Sequence, residues 1–499
     1  MLLLAGALWM AGGGCRQVAP APADSPAPSL HPRRFDLRDF LASRGSGVDS
    51  PEAALRFGRL GRNLRFTFPA AQPQTPYVAP AGFRIAAVAP RGDRIALVRD
   101  LDPDSTEVLL HDRARGETRL LLPVDRDARF LPQRFSDDGG LLFLYSDEGD
   151  DTLQLEILNP DSGERSRRRR PGCEVTHFDA GSAGAIHALQ WSCDGRREAA
   201  LFDTATGAEA GPLPLPRDTR LARALPGDAS EGVLYEVASG RFPRDLVFAE
   251  HLDPDAAAHP LTFGLAPAIA AEDLVDPVPI AVPIVGAATL PAELWWPRRT
   301  AGSPPALLWI EDDAESPAWM EFHPFLQFLA NRGVAVLRLR LRGARGFGRT
   351  FRHAADGRLV EAGLEDLEAA RAELARRGVD PQRIAVLGEG AWPGAIAATA
   401  LAEGSGRFAA AIDLGGDPDP LRQQDLLPTL VEPARTWWLT RLGDPTAEPV
   451  RRERERIRAA ATSGAAWVDA APGTGFDELS AAEVERLWEF LASRLAVAP

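Results

Sequence analysis

The segment Gly388-Glu389-Gly390-Ala391-Trp392-Pro393-Gly394 follows the apolar run 383–388 and precedes a stretch of small residues. A strand that turns sharply through glycines into a helix can hold a nucleophilic side chain above a sheet. Such chemistry needs Ser, Cys or Thr at the turn and a base within reach. Read directly from the strand, the turn residue is Gly390; shifted by two, it is Trp392, flanked by Gly390 and Gly394. Neither register supplies a hydroxyl or a thiol. In the direct register Trp392 and Pro393 stand where small residues are needed and are expected to oppose the turn. Glu311, Asp312, Asp313 and Glu315 form a second group. Clustered carboxylates can ligate a divalent cation through oxygen or stand solvated in a loop. No calcium-loop spacing is present, so the solvated loop is preferred, and no metal or cofactor is expected. His323 and His353 lie in helix-like or loop contexts, and no histidine follows His353. Ser405, in EGSGRF, reads as a loop serine. All 56 basic residues are arginine, so Schiff-base and phosphate-loop lysine chemistry is excluded.

The elements around these residues change character along the chain. From about 82 to 265 a weak repeat recurs, with turn glycines Gly116, Gly163 and Gly207 at spacings of 47 and 44 residues. Each unit joins short β-rich runs through polar Asp/Gly turns. Several strands per ~40–50 residues predict propeller blades, with a β-sandwich as the alternative. About four to five blades are expected. The arginine run 165–170 falls where a blade turn is predicted and reads as a solvated loop, with an anionic surface contact as the alternative. From about 275 strands alternate with helices: 305–310, 334–343, 383–388, 408–416 and 436–444 as strands, and 320–333, 363–378 and 481–495 as helices. That alternation predicts a mostly parallel sheet covered on both faces.

Propeller before hydrolase, with LANRGVAVLRLRLRGARGFGRTF at 329–351, resembles the prolyl oligopeptidase family of serine peptidases, in particular its dipeptidyl- and acylaminoacyl-peptidase branch. The motif residues are Arg342, Gly343, Gly346, Phe347, Gly348 and Phe351, followed in family order by LEDLEAARAEL and GVDPQRIAVLG. The resemblance implies a β-propeller at 35–274 and an α/β-hydrolase domain at 275–499. It also implies a serine nucleophile at the turn, an aspartate, a histidine near the C-terminus and an oxyanion site. Here Gly390 replaces the serine, and Thr474 stands for the histidine in Gly473-Thr474-Gly475-Phe476. The oxyanion motif aligns with Glu311-Asp312-Asp313-Ala314, whose carboxylates would repel developing negative charge. Only Asp444 fits the third triad position. Losing any triad member costs orders of magnitude in rate. The expectation is a family homologue without the peptidase mechanism, acting as an envelope binding or scaffold protein for a peptide or protein ligand. The alternatives are a residual serine-type peptidase or esterase, and metal-assisted hydrolysis through the acidic cluster.

Residues 1–15 form a short apolar run ending in small residues and Cys15, as in a secretory or lipoprotein signal. Cys15 is a candidate lipidation site, which would anchor the protein to a membrane. Residues 16–34, rich in Pro and Ala, read as a tether. Export to the bacterial periplasm or envelope is therefore expected, where Cys173 and Cys193 could pair. The net charge of −14 and pI near 5.2 argue against a nucleic-acid partner.

Overall fold

The computed structural model describes residues 36–38 and, with short gaps, 77–311, 321–414, 436–440, 466–469, 476 and 479–497. Residues 84–260 form four antiparallel four-stranded sheets in sequence order. They are β1–β4 (Arg84–Leu122), β5–β8 (Phe130–Arg168), β9–β12 (Cys173–Pro212) and β13–β16 (Arg220–Pro260). Alternation along each strand packs sheet on sheet. In β6 (Leu142–Ser146), Leu142 and Leu144 share a core with Val98, Val108 and Phe130, toward the first sheet. Phe143 and Tyr145 share the next core with Val175, Trp191 and Phe202 of the third sheet. Gly116 and Gly163 close turns at φ +69° and +75° with open space around them. Their left-handed backbone, rather than crowding, requires glycine. Gly207 lies outside the described residues. Cys173 and Cys193, partners across β9 and β10, form a disulfide.

The arginine run departs from its expected place in a turn. Arg165–Arg168 is the strand β8, paired with β7 (Gln154–Leu158). Its charges are answered locally: Arg165 and Arg167 both reach the buried Glu156 and Glu148. An arginine row with carboxylates opposite it can extend a sheet, because cross-strand opposite charges stabilise the pairing.

The C-terminal region holds one eight-stranded sheet, in the order β17-β18-β20-β19-β21-β22-β23-β24. These strands are β17 (Val278–Pro283), β18 (Thr289–Trp295), β19 (Ala306–Glu311), β20 (Ala335–Leu339), β21 (Ile384–Glu389), β22 (Ala410–Leu414), β23 (Thr436–Thr440) and β24 (Ala466–Asp469). β17 and β18 pair antiparallel, and the pairs from β20 to β24 are parallel. Helices cover both faces, so the central strands are buried throughout. On one face α1 (Pro324–Asn331) and α5 (Ala481–Arg494) bury Leu307, Trp309, Val336 and Leu387. On the other, α3 (Leu359–Arg376) and α4 (Ala391–Glu403) bury Leu308, Ile310, Leu337 and Val386. The fold is a β-propeller followed by an α/β-hydrolase.

α1 starts later than the sequence spacing suggests. His323 caps it, its Nδ1 accepting from Leu326 N at 3.4 Å, and Pro324 fills the first helical position, where a missing N–H costs nothing. Leu37, placed by the sequence in the propeller region, instead packs into the α1/α5 core, and Arg38 pairs with Glu485 at 2.9 Å. A short helical piece (α2, Arg349–His353) carries one of the contacts between the two regions. Gly348 and Arg349 bring the backbone onto Asp151, whose carboxylate accepts from Thr350 N and Oγ1 at 2.8 and 2.7 Å. A Cβ on Gly348 would lie 2.3 Å from Asp151 Oδ2. Arg352 and His353 both reach Asp104.

Candidate functional site

The carboxyl ends of β19, β21 and β22 lie side by side, with Glu311 opposite Glu389 and Glu389 opposite Leu414. Gly390 follows β21 directly, buried, at φ +102°. Its N–H donates to Leu414 O at 2.9 Å, and its carbonyl accepts from Gly394 N at 3.0 Å. A Cβ on Gly388 would lie 2.0 Å from Pro393 O, so only glycine lets the first turn of α4 fold back so closely. This is the strand–sharp turn–helix of a nucleophile elbow, with the strained position at Gly390. Trp392 lies inside α4 and Gly394 in its second turn. Trp392 and Pro393 do not oppose the turn as expected. Pro393 falls in the first turn of α4, where its missing N–H has no helical partner to lose, and Trp392 projects partly into solvent.

The elbow is tied to the chain that precedes α5. Glu389 Oε1 accepts from Phe476 N at 2.7 Å. The Phe476 ring packs against Trp309, His323 and Phe325, with centroids 5.1, 5.1 and 5.0 Å away. His323, whose Nδ1 caps α1, thus sits within an aromatic group at the floor of this region. His353 bonds Asp356 and Asp104 instead, between the two regions of the chain.

Glu311 itself, alone of the acidic group among the described residues, departs from the expected solvated and repelling loop. Its carboxylate meets Arg338 and Arg340 Nη2, both at 2.9 Å, while Arg338 Nη1 bonds the fully buried Glu293 at 2.9 Å. Burial by itself would raise the Glu311 carboxyl, but the two guanidiniums outweigh it and hold it down to about 2. The ionised carboxylate is therefore neutralised from within the fold, and it contributes little repulsion toward a neighbouring anion. Asp312, Asp313, Asp444, Thr474 and Cys15 lie outside the described residues, and Ala391 is described only as the first residue of α4.

The arginines were the residues missed in the sequence. Their signal is present: Arg338 and Arg340 alternate with Leu337, Leu339 and Leu341. In a sheet covered on both faces, such arginines require buried carboxylate partners. Arg342 of the glycine-rich motif has a similar structural task. Its Nε bonds Asp366 Oδ1 at 2.7 Å and its backbone N–H bonds Oδ2 at 2.9 Å. Strand end and α3 are thereby locked together, which links two motifs that the sequence shows only as neighbours in order.

Residues 320–460 match the family model of the prolyl oligopeptidase family. Over that segment the chain is similar to this family of serine peptidases. Dipeptidyl aminopeptidase BIII of Pseudoxanthomonas mexicana is 26% identical over 372 residues, 69% of this chain and 51% of that protein. The chain thus spans about half the length of this curated relative. A puromycin hydrolase superposes with a TM-score of 0.67 at 18% identity, over 83% of this chain and 69% of that one. A Mycobacterium tuberculosis puromycin-hydrolysing peptidase gives 0.66 at 17%, over 82% and 69%. A prolyl endopeptidase structure gives 0.65 at 15%, over 82% and 66%. At these identities the likeness is one of fold. The prolyl oligopeptidase architecture accounts for both the stacked antiparallel sheets and the mostly parallel sheet behind them.

Proposed function

We propose that this prolyl oligopeptidase homologue does not hydrolyse peptides and instead binds a peptide or protein ligand at the cell envelope. The observation that carries this reading is Gly390, a residue without a side chain at the strained position of an otherwise complete elbow. Covalent acyl transfer needs an oxygen or sulfur there. Thr474 in the place of the family histidine supports the same reading, since a threonine hydroxyl does not carry protons near neutral pH. The retained geometry, with Gly388 tight against Pro393 O and Glu389 holding Phe476 N, supports a cleft kept for recognition. The apolar N-terminal run before Cys15 supports placement at the envelope.

The test is labelling of the purified chain with a fluorophosphonate, followed by peptide and ester turnover assays. No adduct and no turnover are expected. An adduct on one serine, with turnover lost on its mutation, would instead establish a residual serine hydrolase. The Gly390→Ser, Thr474→His double variant probes the remainder of the cleft. Recovered turnover would show that only those two groups are missing.

A further inference from the structure

The second and third propeller sheets leave between them a cavity of about 490 Å³, within the range of small-molecule sites. One wall is the run Arg167–Arg170, the deepest residues include Trp191 and Phe202, and Glu209 stands at the rim. Trp191 and Phe202 are 3% and 1% exposed and belong to the core between the sheets, so the cavity ends on packed aromatic side chains rather than on water. The Arg170 guanidinium lies 4.7 Å from the Trp191 ring centroid and also pairs with the exposed Glu198. Arg167 is held by Glu148 and Glu156 at 2.9 and 2.8 Å and so serves to fix the wall. Arg169 differs: its side chain is 55% exposed, and its Asp150 contact, at 3.7 Å, is longer than a direct hydrogen bond.

We infer that this cavity binds a small organic carboxylate with a flat aromatic body. The carboxylate takes the fork of Arg169, with Arg170 swinging from its exposed partner to share the charge. The aromatic body lies toward Trp191 and Phe202. Guanidinium groups match carboxylates bidentately and stack on rings, and both features meet here. Two observations point to a small anion rather than a polyanion. The site is a half-open pocket bounded by one arginine segment, not a track along the surface, and the chain carries a net charge of −14, which repels long anionic polymers at range.

The experiment is calorimetric titration of the full chain with naphthalene-2-carboxylate and, separately, with the neutral naphthalene-2-carboxamide. The carboxylate is expected to bind at least about tenfold more tightly, as befits a charge-assisted bond. Arg169→Gln with Arg170→Gln should erase that preference, while Arg169→Lys with Arg170 intact should retain most of it. Unchanged thermal unfolding of the variants confirms that the fold is kept. Equal binding of the two compounds, no carboxylate binding at millimolar concentration, or full carboxylate affinity in the double glutamine variant would each overturn the assignment. So would heparin binding more tightly than the carboxylate with a steep salt dependence, which marks an open surface contact.

Discussion

Glu311 ends β19 beside Arg338 and Arg340, and its charge is neutralised inside the protein. Its sequence neighbours are acidic, but its spatial neighbours are basic. Breaking a buried pair leaves an uncompensated charge and costs about 3–5 kcal/mol. Glu311→Gln is expected to lose stability in that range at neutral pH, measured by urea unfolding. The carboxyl is held below its ordinary value of 4.5, at about 2. Its ionised form therefore contributes fully above pH 4.5, and that contribution is lost as the pH falls toward 2. The gap between variant and parent should narrow across that window. A gap that stays constant through it would show that the stabilisation does not come from this charge. Gly390 makes the complementary point at the elbow: its backbone angle is one that L side chains adopt at about 1–2 kcal/mol. Gly390→Ser on its own is accordingly expected to be less stable than the parent.

The loop leading into α2 joins two elements that are distant in sequence. Asp151, in the turn before β7, accepts from Thr350 N and Oγ1, and Gly348 makes room for it. The glycine-rich motif was legible in the sequence as a family signature, but its partner was not. Nothing near Asp151 in the sequence marks it as the seat of a contact 199 residues away. Asp151→Ala is expected to loosen this junction while leaving both regions folded. Limited proteolysis should then cut within 340–355 faster than in the parent. Cleavage at an unchanged rate would show that Asp104, which holds Arg352 and His353, is sufficient. Asp366 plays the equivalent part on the other side, since its two oxygens hold both backbone and side chain of Arg342.

For the whole molecule, the order of regions along the chain differs from their order in space. Leu37 lies before the propeller sheets and yet completes the core under α1 and α5 with Trp488 and Leu491. Removing a buried leucine side chain costs about 2–5 kcal/mol, whereas an exposed ion pair contributes about 0–1 kcal/mol. Leu37→Ala should therefore lower the unfolding midpoint of the α/β region clearly, and Arg38→Ala should barely move it. Equal, small effects of both would mean that the N-terminal segment does not seal this core.

Periodicity alone determined a good deal of this protein. Alternation in short runs between glycine turns specified antiparallel sheets, and continuous apolar runs between helical stretches specified the parallel sheet. Residue identity at 390 was equally plain, because the absence of a side chain needs no coordinates to read. Tertiary structure alone decided which register of the elbow is real, how Pro393 is tolerated, and where the charges go. Glu311, Arg338 and Arg340 meet only when β19 and β20 pair in register. The arginine wall and the Trp191 floor meet only when successive sheets stack. Pattern records which face a residue takes, since that follows from local geometry. Partnership across a fold depends on register and sheet order, which no local window contains.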